Sequence, residues 1–524
     1  LRHIELDPER PLTSRDVDAI ANHSARVTLG AHAREAMARS HALLDRLIAD
    51  RARIYGVTTG YGPLATSHVS PARLELLQKN LVYHLATGVG EPLSRTQSRA
   101  VLLARLASLA RGYSALSPER AEILLQVLNA NLAPWIPSLG TVGASGDLTP
   151  LAHAALALMG EGAFLDENHQ KVDAAQVLAA HQIAPLELRD REGLALVNGT
   201  SVMTAIGALN DVALERLIAQ SARGAVAYAE LLEGRLEAWD PRHGIARPHP
   251  GQQWAHARLA QLARGSERLV PLERETLAAI DPDDGEGVLP AQPLLQDVYS
   301  IRCAPQALGA ARDVLAFHRQ TIERELDATS DNPIFYAEDD LALHGGNFFG
   351  QHVSFASDAL LNAVIQLMVW AERRIARLTD ATRSGFPPFL QARGVGLRSG
   401  FMGAQVTASA LVAHARAHAS PASIQSMPTN GDNQDITTMG TIAAWRASRI
   451  IERAWDVLAI EQLILAQGID LVRQQNDRRA FSASSNKLHE DVREHAPFLD
   501  EDRPLSDEIA LLSRVLAQAP VEDS

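Results

Sequence analysis

The length of its proline-free helical stretches limits what this chain can fold into. Residues 201–237, 354–380 and 441–474 are rich in Ala, Leu, Ile, Met, Gln, Glu and Arg and contain no proline. Shorter stretches of the same character lie near 31–52, 96–112, 307–328 and 403–419. Composition and spacing together predict helices rather than strands. In the last long stretch Ile442, Trp445, Ile450, Trp455, Leu458, Leu463 and Leu465 supply apolar mass, while Arg446, Arg449, Glu452 and Arg453 occupy intervening positions. Charges of that kind solvate a face or pair across turns. Helices of more than about 20 residues gain stability by burying apolar faces on one another, so the fold class is mainly α, organised as a long antiparallel helical bundle.

Composition narrows the partners. The 524 residues are 46% hydrophobic and 21% charged, ordinary values for a globular chain. A net charge of -13 argues against a nucleic-acid partner, although one local arginine still suffices for a small anion. Cys303 is the only cysteine, which excludes an intramolecular disulfide and a site of several thiolates, and fits a cytoplasmic location. The first residues show no apolar secretory segment. The strongest apolar stretch, 359–371, is interrupted by Asn362 and Gln366, so a buried helix is expected there and no membrane partner. No metal site is expected: Pro241 to Gly251, with His243 and His249, reads as a loop, and Asp281 to Gly287 as an exposed turn or linker.

Chemistry concentrates in the irregular pieces. Gly140 to Pro150 reads Gly-Thr-Val-Gly-Ala-Ser-Gly-Asp-Leu-Thr-Pro. If a tight turn brings the Gly146 nitrogen onto the Ala144 carbonyl, cyclisation and loss of two waters convert Ser145 into an exocyclic alkene on an imidazolone ring, an electrophile made without an external cofactor. Glycine at 146 permits the approach and tolerates strained backbone. Tyr55-Gly56-Val57-Thr58-Thr59-Gly60-Tyr61-Gly62 is too rich in glycine and β-branched residues for a helix and reads as a positioned loop; no Gly-Lys-Ser or Gly-Lys-Thr follows, so it is not a phosphate cradle. Asn198 sits in the apolar run Leu194 to Thr200, where an unpartnered amide costs roughly 1–3 kcal/mol. Arg302, in Gln296 to Gln306, carries the planar donor fork suited to a carboxylate.

Taken together, these segments resemble the aromatic amino acid ammonia-lyases and aminomutases over almost the whole chain. The resemblance implies a fold like that of histidine ammonia-lyases, with a small mixed N-terminal domain (1–200), a central bundle (201–474) and a C-terminal helical cap (475–524). It implies a homotetramer whose composite active sites draw on three subunits, and a 4-methylidene-imidazol-5-one formed from Ala144, Ser145 and Gly146. By the same resemblance Tyr55 is the base that removes a substrate Cβ proton, Asn198 lies beside the prosthetic group and the substrate amine, and Tyr299 supports elimination. Phenols are weak acids, so that role for Tyr55 calls for hydrogen bonds or positive charge nearby. Gln296 would orient its cluster, Arg302 and Asn332 would hold the α-carboxylate, and Phe348 would pack against the ring. Gly62 and Asn433 belong to the same substrate-binding set. Tyr61 stands where the family more often has Phe, a departure expected to add a polar contact. Asp331 is expected either to hold its loop or to touch substrate, and His344 to be structural.

Substrate choice follows from two further matches. In the family pattern, the positions of His84 and Leu85 face the substrate ring, where His-Leu favours tyrosine, Phe-Leu phenylalanine and Ser-His histidine. Gln434 stands where histidine lyases usually have Glu. Gly431-Asp432 is more polar than is common there. The expected reaction is non-oxidative elimination of ammonia from L-tyrosine to trans-p-coumarate, with L-phenylalanine as a second substrate. The alternatives are a tyrosine 2,3-aminomutase, a histidine or phenylalanine ammonia-lyase, and an inactive helical scaffold.

Overall fold

A computed structural model describes residues 2–271 and 295–520. The expected turn or linker at Asp281 to Gly287 lies outside the described residues. The fold is mainly α. The long helices are Ser201–Leu231, Ala304–Leu326, Gln351–Thr379 and Gly440–Gln474, within a few residues of the stretches picked out by periodicity. Two compact units form: Leu1–Val212, Phe317–Ala359 and Ser420–Ser448 make the first, and Ala213–Ala316, Leu360–Ala419 and Arg449–Ser524 the second. Both are discontinuous in sequence, whereas the expected segments 1–200, 201–474 and 475–524 are contiguous; four of the five unit boundaries fall inside the four long helices and the fifth just after helix Met402–Ala417.

The first unit is the mixed one. Strands Arg2–Leu6 and Ala25–Leu29 pair in parallel, Arg2 opposite Ala25 and Leu6 opposite Leu29. Ala133–Pro134, Ala163–Leu165 and Lys171–Asp173 form a small antiparallel sheet. At the centre is helix Arg95–Ala110, opened by a capping box between Ser94 and Gln97 and buried throughout from Ser98 to Ala110. Within that core Arg99 donates to the carbonyls of Ile20, Ala21 and Leu128 at 2.6, 2.9 and 2.8 Å. These are the last carbonyls of helices Ser14–Ala21 and Pro118–Asn129, so one buried guanidinium satisfies two helix C-termini.

In the second unit helix Gly440–Gln474 is nearly all buried from Ile450 to Val472, and its exposed charges pair along the helix, Arg449 with Glu452 and Arg453 with Asp456. Residues 475–520 add helices Ala483–Arg493 and Ser506–Gln518, the first capped by Ser482. The stretch from Pro241 is helical rather than a loop: Asp240 caps Pro241–Ala246, and Pro250 opens Pro250–Leu262, proline being favoured in a first helical turn. Gln351–Thr379 is the one described helix long and apolar enough to cross a membrane, and 67% of its most apolar window is buried inside the protein.

Arg374 and Glu461 form an ion pair with both side chains only 2% exposed. Replacing one partner leaves a charge buried and unpaired, which costs about 3–5 kcal/mol. Glu461→Gln is therefore expected to lower the thermal midpoint clearly in calorimetry, whereas an unchanged midpoint would show that the pair contributes nothing.

Candidate active site

Ala144 and Ser145 occupy the tip of a turn closed between Gly143 and Gly146. Ser145 has φ 54° and Gly146 φ 75°, both in the left-handed region that a serine enters only under constraint. The constraint is a second loop. Gly199 donates to the Ser145 carbonyl at 3.2 Å and accepts from the Asp147 N–H at 2.7 Å, zipping the turn to the end of the Asn198 segment. A Cβ on Gly146 would lie 2.1 Å from the Gly199 oxygen, and one on Gly199 2.0 Å from the Ser330 oxygen, so both positions demand glycine. Thr141 Oγ1 tightens the turn, donating to the Gly146 carbonyl at 3.0 Å and accepting from the Gly143 N–H at 3.1 Å. The result is a compressed turn with Ser145 at its tip.

Asp147 anchors the turn from behind. Its Oδ2 accepts from the Val202 and Met203 N–H groups at 2.8 and 3.0 Å, at the start of helix Ser201–Leu231, and Thr441 donates to Oδ1. Burial pushes the carboxyl up to about 6, against the lowering effect of those hydrogen bonds.

A cavity of 770 Å³ opens over the turn, wholly within the first unit, with Ala144 and Ser145 in its wall. Helix Leu74–Leu85 presents Leu77, Asn80, Leu81, His84 and Leu85 to it, a spacing that puts all five on one face. Tyr55 and Gly62 enter from the opposite loop, where the Gly62 N–H donates to the Tyr55 phenol oxygen at 2.8 Å. That loop is held by Gln78 Nε2 on the Gly56 carbonyl at 2.9 Å and by the Tyr55 N–H, which donates to His344 Nε2 at 3.1 Å. Burial lowers the His344 pKa, which favours the neutral ring that accepts this bond. The Tyr61 ring packs edge-on against Tyr55 with centroids 6.3 Å apart, and burial raises the pKa of its hydroxyl against the lowering effects of Arg191 and of a hydrogen bond with Gln78.

Two asparagines in the wall have a defined polarity. Asn198 Nδ2 donates to Asp331 Oδ1 at 2.8 Å and to the Asn332 carbonyl at 3.1 Å, leaving its Oδ1 for the cavity. Asn332 Oδ1 accepts from the Gly345 N–H at 2.7 Å, leaving its amide N–H groups as donors. An acceptor and a donor set side by side suit the ammonium and carboxylate of an amino acid. Asp331 is fully buried and is fixed by Arg191 through two hydrogen bonds of 2.7 and 3.0 Å; it holds the loop and is not in the cavity wall. Arg105, also buried, bonds the Asn198 carbonyl, and burial lowers its pKa to about 10. Phe348, Asn433 and Gln434 also line the cavity.

Four expected site residues, Gly146, Gln296, Tyr299 and Arg302, do not line this cavity. Gln296, Tyr299 and Arg302 belong to the second unit, where Arg302 donates to Gln296 Oε1 at 2.5 Å and stacks over Tyr299 at 4.6 Å. Tyr299 is 67% exposed. Gly146 contributes backbone behind the wall rather than surface. Sequence reasoning missed Arg105, Arg191 and Asp147. Asp147 had a signal, its place in the Gly140 to Pro150 motif, whereas Arg105, inside a helix, and Arg191, just before helix Glu192–Val197, acquire their roles only by long-range packing.

Residues 12–494 match the aromatic amino acid lyase family. The chain belongs to that family. It is 47% identical over 524 residues to a tyrosine ammonia-lyase of Cereibacter sphaeroides, covering 99% of this chain and 97% of that one. It is 40% identical over 515 residues to an MIO-dependent tyrosine 2,3-aminomutase of Streptomyces globisporus, covering 97% and 94%. A crystal structure of the Streptomyces globisporus tyrosine aminomutase superposes with a TM-score of 0.91 at 39% identity, covering 98% of this chain and 97% of that one. Within this lyase-family scaffold the buried carboxyl of Asp147 makes a testable demand on pH. Its folded-state pKa lies above the ordinary 3.8, so the folded protein binds the proton more tightly than the unfolded chain, and stability falls as pH rises from about 4 to about 6. About two pKa units correspond to about 3 kcal/mol. The thermal midpoint of Asp147→Asn relative to wild type is expected to rise between pH 4.5 and 7; a difference independent of pH would show that the group is not buried as an acid.

Proposed function

We propose that this chain is a tyrosine ammonia-lyase, converting L-tyrosine to trans-p-coumarate and ammonia, with L-phenylalanine as a slower substrate. The observation that carries the reading is one cavity in which His84 and Leu85 share a wall with Tyr55, Asn198 and the Ser145 turn. The 47% identity to a tyrosine ammonia-lyase across nearly the full length of both chains supports it. Ala144, Ser145 and Gly146 fit a self-made methylidene-imidazolone, because the turn is compressed and no Cβ fits at Gly146. That group supplies an electrophile for the substrate amine.

The chain's own side chains do the rest. His84 bonds the substrate para-hydroxyl, while Leu85 and Phe348 pack on its ring. Asn332 directs N–H donors at the carboxylate, and the Asn198 Oδ1 accepts from the ammonium. Tyr55, its oxygen fixed by the Gly62 N–H, takes the Cβ proton. Gln296, Tyr299 and Arg302 come from neighbouring copies in a homotetramer, Arg302 as the second carboxylate ligand. The exposure of Gln296 and Tyr299, and the absence of all three from this cavity's lining, is the support for composite sites.

A second reading, a tyrosine 2,3-aminomutase, is favoured by the likeness to the Streptomyces globisporus enzyme. It differs only in whether ammonia returns to Cβ before product leaves. Incubation with L-tyrosine separates the two: the lyase reading expects p-coumarate and ammonia in equal amounts, and dominant β-tyrosine would replace it. His84→Phe is expected to lower the tyrosine-to-phenylalanine ratio of kcat/KM by about tenfold or more, since the phenolic hydroxyl loses its partner. An unchanged ratio would remove His84 from substrate selection.

A further inference from the structure

Gln434 meets Ser145 with a fixed polarity. Its Oε1 accepts from Thr429 Oγ1 at 2.8 Å and from Asn430 Nδ2 at 2.7 Å. Backbone bonds between Thr429 and Gln434, at 2.9 and 3.3 Å, close the loop that carries all three. Between them Asn430, Gly431 and Asp432 take φ of 52°, 60° and 61° in succession. Asn, Gly and Asp enter the left-handed region at least cost, which accounts for the polar Gly431-Asp432 pair. With Oε1 occupied twice, the amide turns Nε2 toward the turn, 3.2 Å from Ser145 Oγ. A neutral donor therefore faces the hydroxyl that must depart when the prosthetic group forms.

We propose that Gln434 is a catalytic residue of that maturation, its Nε2–H stabilising the Ser145 oxygen as it leaves, and that Thr429 and Asn430 are positioning residues that hold the amide in this sense. The inference rests on the proposed cyclisation of Ala144-Ser145-Gly146. In the first dehydration the Gly146 nitrogen bonds to the Ala144 carbonyl carbon. The carbonyl oxygen leaves as water with the protons of the Gly146 and Ser145 nitrogens, and a C=N bond joins the Ala144 carbon to the Ser145 nitrogen. In the second, the Ser145 Cα proton passes to solvent, its electron pair forms the Cα=Cβ bond, and the Cβ–Oγ bond breaks. The departing hydroxide takes a proton from solvent and leaves as water. The new ring acidifies the Cα–H by spreading charge onto its C=N and C=O groups, so this loss follows cyclisation. The Gln434 hydrogen bond strengthens as charge grows on Oγ and acts on the second step alone.

Cell-free synthesis followed in time by intact-protein mass spectrometry tests this without reference to turnover. Wild type is expected to lose two waters. Gln434→Leu is expected to slow the second loss by about tenfold or more, so that a species lacking one water accumulates. The double variant Thr429→Val/Asn430→Ala should accumulate the same species to a smaller extent. Gln434→Met fills similar space without a donor, and carries the same expectation should the leucine variant not fold. Maturation of the Gln434 variants at the wild-type rate would overturn the proposal. So would accumulation of the full encoded mass, which marks a turn that no longer cyclises and hence a structural role. Wild type retaining both waters would instead refute the cyclisation on which the inference rests.

Discussion

The contact between Gly146 and the Gly199 carbonyl is the constraint on which the rest of the site depends. A methyl group at 146 would lie 2.1 Å from that oxygen, so the two loops close to this distance only because neither carries a side chain. Once they are joined, Ser145 is held at φ 54° and its hydroxyl faces the cavity wall, while the Asp147 carboxylate is drawn to the first N–H groups of helix Ser201–Leu231. The 31-residue helix Ser201–Leu231 thus starts on the residue that follows the reactive turn. Strain at Ser145 is maintained by packing around it rather than by the tripeptide itself.

Buried charge performs the second task, setting the sense of the polar groups. Arg191 and Asp331 are 1% and 0% exposed, and the carboxylate they fix takes both the Asn198 amide and the Asn332 N–H, the latter at 2.7 Å. An amide is nearly symmetric in shape but opposite in polarity at its two ends, so a fixed neighbour is needed to make it selective. Asn198, Asn332 and Gln434 each have one end occupied by protein and the other turned to the cavity. An ion pair so deeply buried is a poor source of net stability, and its value here is the orientation it imposes.

Much of the helical architecture was legible because its signal is local. Seven proline-free stretches correspond to seven helices with ends displaced by a few residues, apart from 201–237, whose helix stops at Leu231 before Gly234. The Gly140 to Pro150 motif and the Tyr55 loop were legible for a different reason: glycine and β-branched residues advertise backbone that is neither helix nor strand. What stayed hidden was non-local. Four of the five divisions between the two units fall inside continuous helices, where nothing in the sequence marks a boundary. Pro241 to Ala246 looked like a loop because Pro and Gly suppress propensity, yet the Asp240 cap suffices for a short helix. Arg105 and Arg191 resemble surface arginines until packing buries them.

The most direct test of the account is the intact mass of wild type beside that of Gly146→Ala. If the missing Cβ is what lets the turn close, wild type will be lighter than its encoded mass by two waters, and the alanine variant, though its nitrogen and Ser145 are unchanged as reactants, will retain both. A wild-type chain at its full encoded mass, or an alanine variant that matures as completely as wild type, would contradict it.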